Sequence, residues 1–348
     1  QRVGDELRLE ADELVRRRHG RRVSYVVNRN VNFTNICNVG CTFCGFQRRR
    51  GAPDGYTRTV EEVVERLEES PGIREVCLQG GINPELGFEY YEGLVSAIRE
   101  RFPRLHLHGF SPMEIEFLHR RTGWSYEKVL GRLKEAGLNT IPGTAAEILV
   151  DEVRAEISGN KLSAGVWERI VRTAHGCGLK STATVMFGHV ETREHLAQHF
   201  ERLKGIQEET GGFTEMIPLA FVPYRNRLGR RVVAAAGGRE RFEAGLVEKA
   251  RWLYPLVRVY FDRLIPNVQT SWVKLGPALA AESLGWGCND FGGTLMEESI
   301  TRESGGIHGE ALTREEIRGW ILSAGKEPVE RDTMYEVVEA GAVVGAAS

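Results

Sequence analysis

An α/β fold of the (β/α)8 TIM-type barrel class, with a helical N-terminal lead and a C-terminal extension, is what this sequence predicts. Three observations carry it. Short apolar runs alternate with amphipathic stretches of helical period along most of the 348 residues, the pattern of parallel strands buried under helices. Roughly eight such runs can be counted, enough to close a barrel, with an open doubly wound sheet as the alternative if the count is off by a strand. Polar and glycine-rich breaks follow the runs at Gly80-Gly81, Ser111-Pro112, Gly143-Thr144, Gly188-His189, Gln269-Thr270-Ser271-Trp272 and Asp290-Phe291-Gly292-Gly293. In a barrel, that end of the strands carries the chemistry.

In chain order, Leu7, Leu9, Ala11, Leu14 and Val15 recur among charges and predict an amphipathic helix over 4–18, the core of a lead spanning residues 1–24. Tyr25 to Phe33 reads as the first strand. A helix over 59–67 follows, with Thr57 or Thr59 as its N-cap. Glu75 to Gln79 is a short buried strand stopped by Gly80-Gly81, and a helix covers 88–101. Leu105 to Phe110 is the next strand, followed by a short helix after Pro112 and a longer one from Ser125 to Ala136. A strand at 138–141 ends at Pro142-Gly143, and helices cover 145–156 and 163–177. Strands at 180–187 and 214–221 flank a helix over 193–209. A Gly-, Arg- and Ala-rich loop occupies 223–238, then a helix runs from Arg239 to Leu253. Arg258 to Phe261 and Asn267 to Thr270 are strand-like, a helix spans 276–284, and the last strand lies near Cys288 to Asp290. The simplest division is a barrel over 25–312 and an extension, 313–348, packed on it.

Hydrophobic residues make up 41% of the chain and charged residues 27%, proportions suited to a sizeable core. A net charge of −2 offers no basic footprint for nucleic acid. Arg48-Arg49-Arg50 reads as a solvated loop rather than a site for an anion. No run of about 18 apolar residues suggests a membrane span, and the charged first residues lack the apolar stretch of a secretion signal. Of the six cysteines, Cys77, Cys177 and Cys288 are scattered without pairing logic. Such usage points to metal binding in a reducing cytoplasm rather than to disulfides.

Cys37, Cys41 and Cys44 form a C-x3-C-x2-C pattern in the loop after the first strand. Soft thiolates suit iron–sulfur clusters, and three of them hold three corners of one. No fourth cysteine is near, so one iron would stay open to a substrate. A zinc site with a distant fourth ligand, or a cysteine cluster of no function, are the competing readings.

The motif, with Phe43 at its aromatic position, resembles that of radical S-adenosylmethionine (SAM) enzymes. The blocks Val26 to Cys37, Leu78 to Ile82, Phe110 to Ile115, Ile141 to Leu149, Thr210 to Glu215, Gln269 to Gly276 and Gly292 to Glu298 are similar to one group of them. That group is CofH, the tyrosine-using half of deazaflavin (FO) synthase; enzymes of the futalosine route to menaquinone share several blocks. The resemblance implies a 4Fe–4S cluster and SAM as cofactors, and L-tyrosine and 5-amino-6-(D-ribitylamino)uracil as substrates. It implies that a 5′-deoxyadenosyl radical takes hydrogen from tyrosine and that the Cα–Cβ bond breaks. The 4-hydroxybenzyl fragment then adds to C5 of the uracil and 2-iminoacetate leaves. It also implies an electron donor such as flavodoxin or ferredoxin, and CofG as the partner that completes FO, the chromophore of coenzyme F-420. A futalosine-type substrate, or a metal-binding protein without catalysis, are the alternatives.

Residue roles follow from the same resemblance. Phe43 would pack near adenine or be a plain core aromatic, and Gly80 and Gly81 would let the backbone approach the methionine end of SAM. Ser111 and Glu147 would bind ribose hydroxyls or the amino group, unless Glu147 charges a helix N-terminus. Arg154 would pair with the SAM carboxylate or lie on a solvated helix face. Met186, Phe187 and Gly188 would border adenine. For the substrates, Gln269, Ser271 and Trp272 offer amide, hydroxyl and stacking groups, with Asp290 and Thr294 adding polar contacts. Glu215 is a further candidate, or a satisfied core group. His189 and Glu191 are the candidate catalytic proton relay. His195 and His199 share a helix face at i, i+4 spacing with no carboxylate motif, which reads as solvated surface. One departure stands out: Pro223-Tyr224-Arg225-Asn226-Arg227-Leu228-Gly229-Arg230 replaces the family's usual histidine-containing segment.

Overall fold

The computed structural model describes residues 2–338. The chain begins α1 (Arg2–His19), β1 (Arg22–Val26), β2 (Asn28–Asn32), α2 (Val60–Glu68), β3 (Glu75–Gln79), α3 (Phe88–Arg101), β4 (His106–Gly109), α4 (Pro112–Thr122) and α5 (Tyr126–Ala136). It continues β5 (Thr140–Ile141), α6 (Asp151–Ser158), α7 (Ala164–Gly176), β6 (Lys180–Phe187), α8 (Arg193–Thr210), β7 (Phe213–Ala220), α9 (Arg227–Ala235) and α10 (Arg239–Phe261). It ends β8 (Asn267–Val268), α11 (Trp272–Leu275), α12 (Pro277–Ser283), β9 (Asp290–Gly293), α13 (Ser299–Glu303), α14 (Arg314–Ser323) and β10 (Glu327–Arg331).

Every ladder between these strands is parallel. Strands β2 to β8 form one sheet in chain order, and β1 lies between β10 and β9 in another. Two seams join them. At the first, Thr270 N–H donates to Asp290 O at 2.9 Å and Asn289 N–H to Val268 O at 3.1 Å. At the second, Asn30 N–H donates to Leu295 O at 2.8 Å, while the Thr294 hydroxyl accepts from Asn28 N–H at 3.0 Å and donates to Asn28 O at 2.6 Å. Hydrogen bonding thus runs round a curled ring, β2 to β9, each strand followed by at least one helix. The barrel reading holds over the open sheet. Thr294, expected at the substrate, is instead a closure residue of the ring.

The differences from the sequence reading have local causes. The run from Tyr25 to Phe33 is two strands because the chain changes neighbours at Val27: β1 pairs with β9 and β10, β2 with β3. Arg258 to Phe261 is not a strand but the end of α10, which continues through Pro255 with Leu253, Tyr254, Val257 and Phe261 buried at helical spacing. The loop expected at 223–238 contains α9, started by the Asn226 side chain, which accepts from Gly229 N–H. The helix expected from residue 145 begins only at Asp151, because Ala145 and Glu147 have φ of 66° and 41°, outside the helical range. Thr59, not Thr57, caps α2, in a reciprocal box with Glu62.

The chain after residue 312 returns to the barrel. Strand β10 pairs with β1 from Arg22↔Glu327 to Val26↔Arg331, and the residues beyond it enter a polar interior cluster toward the N-terminal ends of the strands. Arg331 Nε donates to Asp290 Oδ2 at 2.5 Å, its guanidinium lies 3.7 Å from Glu215, and it covers the Tyr335 ring at 4.0 Å. Tyr335 and Gln269 both donate to Glu215, and Thr333 donates to Glu75 at 2.7 Å. Burial pushes the Glu215 carboxyl up to about 7 against the pull of Arg331. Glu215 and Asp290 are therefore partners of the C-terminal segment, Glu215 in keeping with its core-polar alternative, and Gln269 is held by Glu215. Residues 339–348 of the expected extension lie outside the described residues.

Removing one member of a buried ion pair strands the other in low dielectric, at roughly 3–5 kcal/mol. Arg331→Met should lower unfolding free energy by about that amount, measured by urea denaturation of the wild type and variant. A loss within the ordinary surface range would show that the cluster is not a structural lock.

Candidate active site

The long connection between β2 and α2 carries the three cysteines and is held by the barrel rim on all sides. Cys37 N–H donates to Arg48 O at 2.9 Å, Asn38 N–H to Ile82 O at 3.1 Å and Thr42 N–H to Ile157 O at 2.8 Å, while Thr42 O accepts from Leu228 N–H at 2.9 Å. Arg48 Nη1 donates to the carbonyls of Gly45, Phe46 and Gln47 at 2.9–3.1 Å, and its guanidinium also binds Asp54 and Glu303. Arg48 is therefore an internal clamp of the loop and not a solvated charge. The Leu228 tie gives the divergent 223–230 segment a job: α9 props the cysteine loop from outside.

The three cysteines line a cavity of about 240 Å³ at the C-terminal ends of the strands. Phe43, Gly80, Gly81, Ser111, Glu147 and Met186 line it too, as do Gln79, Glu114, Thr144, Lys161, Thr184 and Lys274. Among the described residues, no three cysteine, histidine or carboxylate side chains gather as ligands of one metal ion. The three thiols share one cavity lining, with Cys37 and Cys44 acting on Cys41, and a cluster whose irons each take one thiolate suits such a set. Burial pushes the Cys41 thiol up to about 12, although Lys161 pulls it down. Iron binding has to overcome that desolvation.

One wall is built by the ends of β3 and β4. A Cβ on Gly81 would stand 2.2 Å from Ile36 O and 2.9 Å from the Cys37 Cβ, and one on Gly80 would meet the Phe33 ring at 2.5 Å. Only glycine allows the strand end to lie this close to the cysteine loop. Ser111 caps α4 in a reciprocal box with Glu114, whose carboxylate also accepts from Gly80 N–H at 3.1 Å. Burial raises the Glu114 pKa to about 7 in spite of those bonds.

The next wall is the β5–α6 connection. Glu147 pairs with Lys161 at 2.7 Å, its Oε2 is buried with no hydrogen-bond partner, and the Lys161 Nζ lies 5.4 Å from the Phe43 ring centroid. Glu147 has a left-handed backbone, as do Phe110, Ala145, Leu295 and Met296, all just past strand ends. Strain of this kind, of order 1 kcal/mol or more per residue, persists where surrounding structure over-determines it and is typical of ligand sites. The Glu147 Oε2 has the Arg154 guanidinium at 3.7 Å but no hydrogen bond, so it is left to accept one from a polar cofactor seated beside the thiols, the glycine backbone and Phe43.

Other expected residues are not brought to the cavity. Arg154 is neither on a solvated face nor free for a ligand: its guanidinium donates to Ala145 O, Ala146 O, Ile148 O and Leu162 O. It shapes the loop that presents Glu147. Phe187 is buried against Tyr254. Glu191 accepts from the Gly188 and His189 N–H groups and binds Lys249, and the His189 Nε2 contacts Met186 O at 3.0 Å. This pair fixes the turn after β6, and neither residue lines the cavity. Trp272 is buried with its indole N–H on Gly293 O at 2.9 Å, and the Ser271 carbonyl starts α11. His199 is not solvated either; its ring bridges Leu149 N–H and Thr184 O inside the wall. Residues missed in the sequence are Glu114, Lys161 and Lys274. The Ser111-x-x-Glu114 box carried a readable signal; the two lysines carried none.

The chain matches the family model "Radical SAM superfamily" over residues 31–203 and "CofH/MqnC C-terminal region" over 212–343. It is 48% identical over 322 residues to the 5-amino-6-(D-ribitylamino)uracil–L-tyrosine 4-hydroxyphenyl transferase of Methanopyrus kandleri, covering 92% of this chain and 85% of that one. It is 42% identical to the enzyme of the same name from Archaeoglobus fulgidus, covering 94% and 92%. The FO synthase of Nocardia farcinica is 46% identical over 94% of this chain, which spans 38% of that longer protein. Among solved structures, methylornithine synthase superposes with a TM-score of 0.70 at 16% identity, covering 94% of this chain and 90% of that one. That likeness concerns the fold alone.

Two outcomes test the walls. Gly81→Ala should disturb the Cys37 segment by overpacking, at about 1–3 kcal/mol, and lower the iron bound per chain on reconstitution; Gly93→Ala, whose Cβ meets nothing within 4 Å, should load normally. The raised Glu114 pKa means the folded state holds this proton more tightly than the unfolded one, so Glu114 subtracts stability as pH rises from about 4.5 to about 7. In cluster-free protein, Glu114→Gln should flatten the stability profile in that window by up to about 3 kcal/mol, read from denaturation midpoints at a series of pH values.

Proposed function

Because the chain belongs to the radical SAM superfamily and to its CofH-type branch, we propose that it is the transferase of FO biosynthesis. It would join the 4-hydroxybenzyl fragment of L-tyrosine to C5 of 5-amino-6-(D-ribitylamino)uracil and release 2-iminoacetate. The observation that carries this is the cavity in which three thiols, a glycine-backed strand end and a Glu147 oxygen without a hydrogen bond meet, on a chain related to the named transferases through both its halves.

Cys37, Cys41 and Cys44 would each hold one iron of a 4Fe–4S cluster, and Gly80, Gly81, Ser111, Glu147, Phe43 and Met186 would receive SAM. When bound, these groups supply the 5′-deoxyadenosyl radical that takes a hydrogen atom from tyrosine. The protein's own work is to seat the substrates and keep water out. Phe46, Met113, Leu219, Phe221 and Ile300 make much of the lining apolar. Gln79, Thr144 and Thr184 put amide and hydroxyl groups on the same lining, chemistry that suits a uracil edge and ribityl hydroxyls.

The division into a lead (1–24), a barrel (25–312) and an extension from 313 is retained as part of the proposal. One electron per turnover would come from a small carrier such as flavodoxin or ferredoxin, and CofG would take the product. All six cysteines are unpaired and no described helix is long and apolar enough to cross a membrane; both fit work in a reducing cytoplasm.

Anaerobically reconstituted protein, once reduced, should cleave SAM to 5′-deoxyadenosine and form an adduct only when tyrosine and the diaminouracil are both present. Cys41→Ser should abolish cleavage. An adduct formed without tyrosine, or turnover of a futalosine-type compound in its place, would remove the proposal.

A further inference from the structure

Apart from the thiols, the ionisable groups that line the cavity are Glu114, Glu147, Lys161 and Lys274. Two of them, Glu147 and Lys161, answer each other's charge, and Glu114 is met by three neutral donors from Ser111 and Gly80. Lys274 fits neither case. Its Nζ donates to the neutral Thr301 hydroxyl at 3.0 Å, and no described carboxylate lies within the 4.0 Å of an ion pair. The nearby Glu298 is committed to its own helix, where its carboxylate accepts from Thr301 N–H at 2.7 Å. A cation held at a cavity wall with a single neutral partner is poised for an anion that arrives with a ligand.

The position narrows the anion. Lys274 lies on α11, directly after β8. In the ring order β2 to β9, β8 stands opposite β4, whose end carries Ser111 and Glu114. Lys274 therefore comes from the arc opposite Ser111 and Glu114, with the Cys44 thiol of the cysteine loop among the groups that act on its charge. Of the two substrates, the ribitylaminouracil is uncharged and tyrosine carries a carboxylate.

On the transferase reading, we propose that Lys274 binds the α-carboxylate of the tyrosine substrate and sets the requirement for a free carboxylate. When the Cα–Cβ bond breaks, the carboxylate stays with the Cα fragment. Lys274 would then hold the departing half while the aryl half moves to the uracil. It is a binding and specificity residue, and no proton transfer is asked of it.

The test uses cluster-loaded protein with SAM and no reductant, so that binding is read without turnover. Equilibrium dialysis would measure L-tyrosine, 3-(4-hydroxyphenyl)propanoate, which keeps the carboxylate and lacks the amine, and tyramine, which does the reverse. Lys274→Met should weaken tyrosine and the propanoate by about 10- to 100-fold, the range of a lost charge-assisted hydrogen bond. Tyramine binding, SAM affinity and the cluster's electron paramagnetic resonance signal on reduction should be unchanged, and Lys274→Arg should recover part of the tyrosine affinity. Unchanged tyrosine binding in Lys274→Met overturns the assignment while leaving the transferase reading intact. Loss of SAM affinity instead overturns it by giving Lys274 to the SAM carboxylate, and equal weakening of all three ligands overturns it as a structural effect. Wild-type protein that cleaves SAM on reduction yet binds no tyrosine would remove the transferase reading itself.

Discussion

An ion inside a barrel of this size has no bulk water to turn to, and the structure is arranged around that constraint. Removing a charge from water is tolerated only where protein groups replace the lost solvation. At the base, Arg331 meets Asp290 and Glu215. In the wall, Arg154 is held by four backbone carbonyls and has the Glu147 carboxylate at 3.7 Å. At the mouth, Lys161 meets Glu147. The first of these makes the C-terminal segment part of the barrel interior, the second fixes the β5–α6 loop, and the third sets the charge beside the cysteines. Lys274, whose hydrogen bond is to the neutral Thr301 hydroxyl, has by contrast no paired carboxylate among the described residues.

The same reasoning separates two kinds of polar residue at strand ends, which in sequence look alike. Ser111, Glu147 and Gly81 face the cavity. Thr294, Trp272, His189 and Glu191 turn their hydrogen-bonding groups onto neighbouring backbone and close seams between elements. A ring of parallel strands with two-residue members such as β5 and β8 has few ladder bonds at those points. Side chains therefore supply part of the stitching that longer strands would supply through the backbone.

Much of the architecture was legible from periodicity. β3, β6, α3 and α8 fall where the apolar pattern puts them, because each buries one continuous face or run. α9 and the end of α10 were misread for a physical reason: glycine, arginine and proline signal loops locally, and only packing against the rim and the core overrides them. The cysteine triad was legible because three ligands lie within eight residues. The partners of Glu215 and Asp290 were not legible because they, Tyr335 and Arg331, lie about 40 to 120 residues further along the chain, and Gln269 follows Glu215. No local pattern announces that meeting. Lys161 and Lys274 were silent for the same reason, since a lysine's role depends on which carboxylates the fold leaves within its reach.

The two halves of the chain divide the labour of the cavity. The region before β7 supplies the thiols, the glycine-backed strand end, the Ser111–Glu114 cap and the Glu147–Lys161 pair. The region from β7 onward supplies Leu219 to Val222, Lys274, Ile300 and Ser304 to the lining, together with the Arg331 lock beneath. Groups that would hold a cluster and its cosubstrate thus sit on one arc together with Gln79, Thr144 and Thr184, while the substrate arc opposite carries Lys274 and apolar lining. The arcs are tied across the mouth where Leu228 N–H meets Thr42 O and Gly45 N–H meets the Ser304 hydroxyl. A change in the substrate arc is therefore felt by the cysteine loop. It follows that the divergent segment at 223–230 reaches both arcs at once, through Leu228 N–H on Thr42 O and Arg225 N–H on Ser304 O.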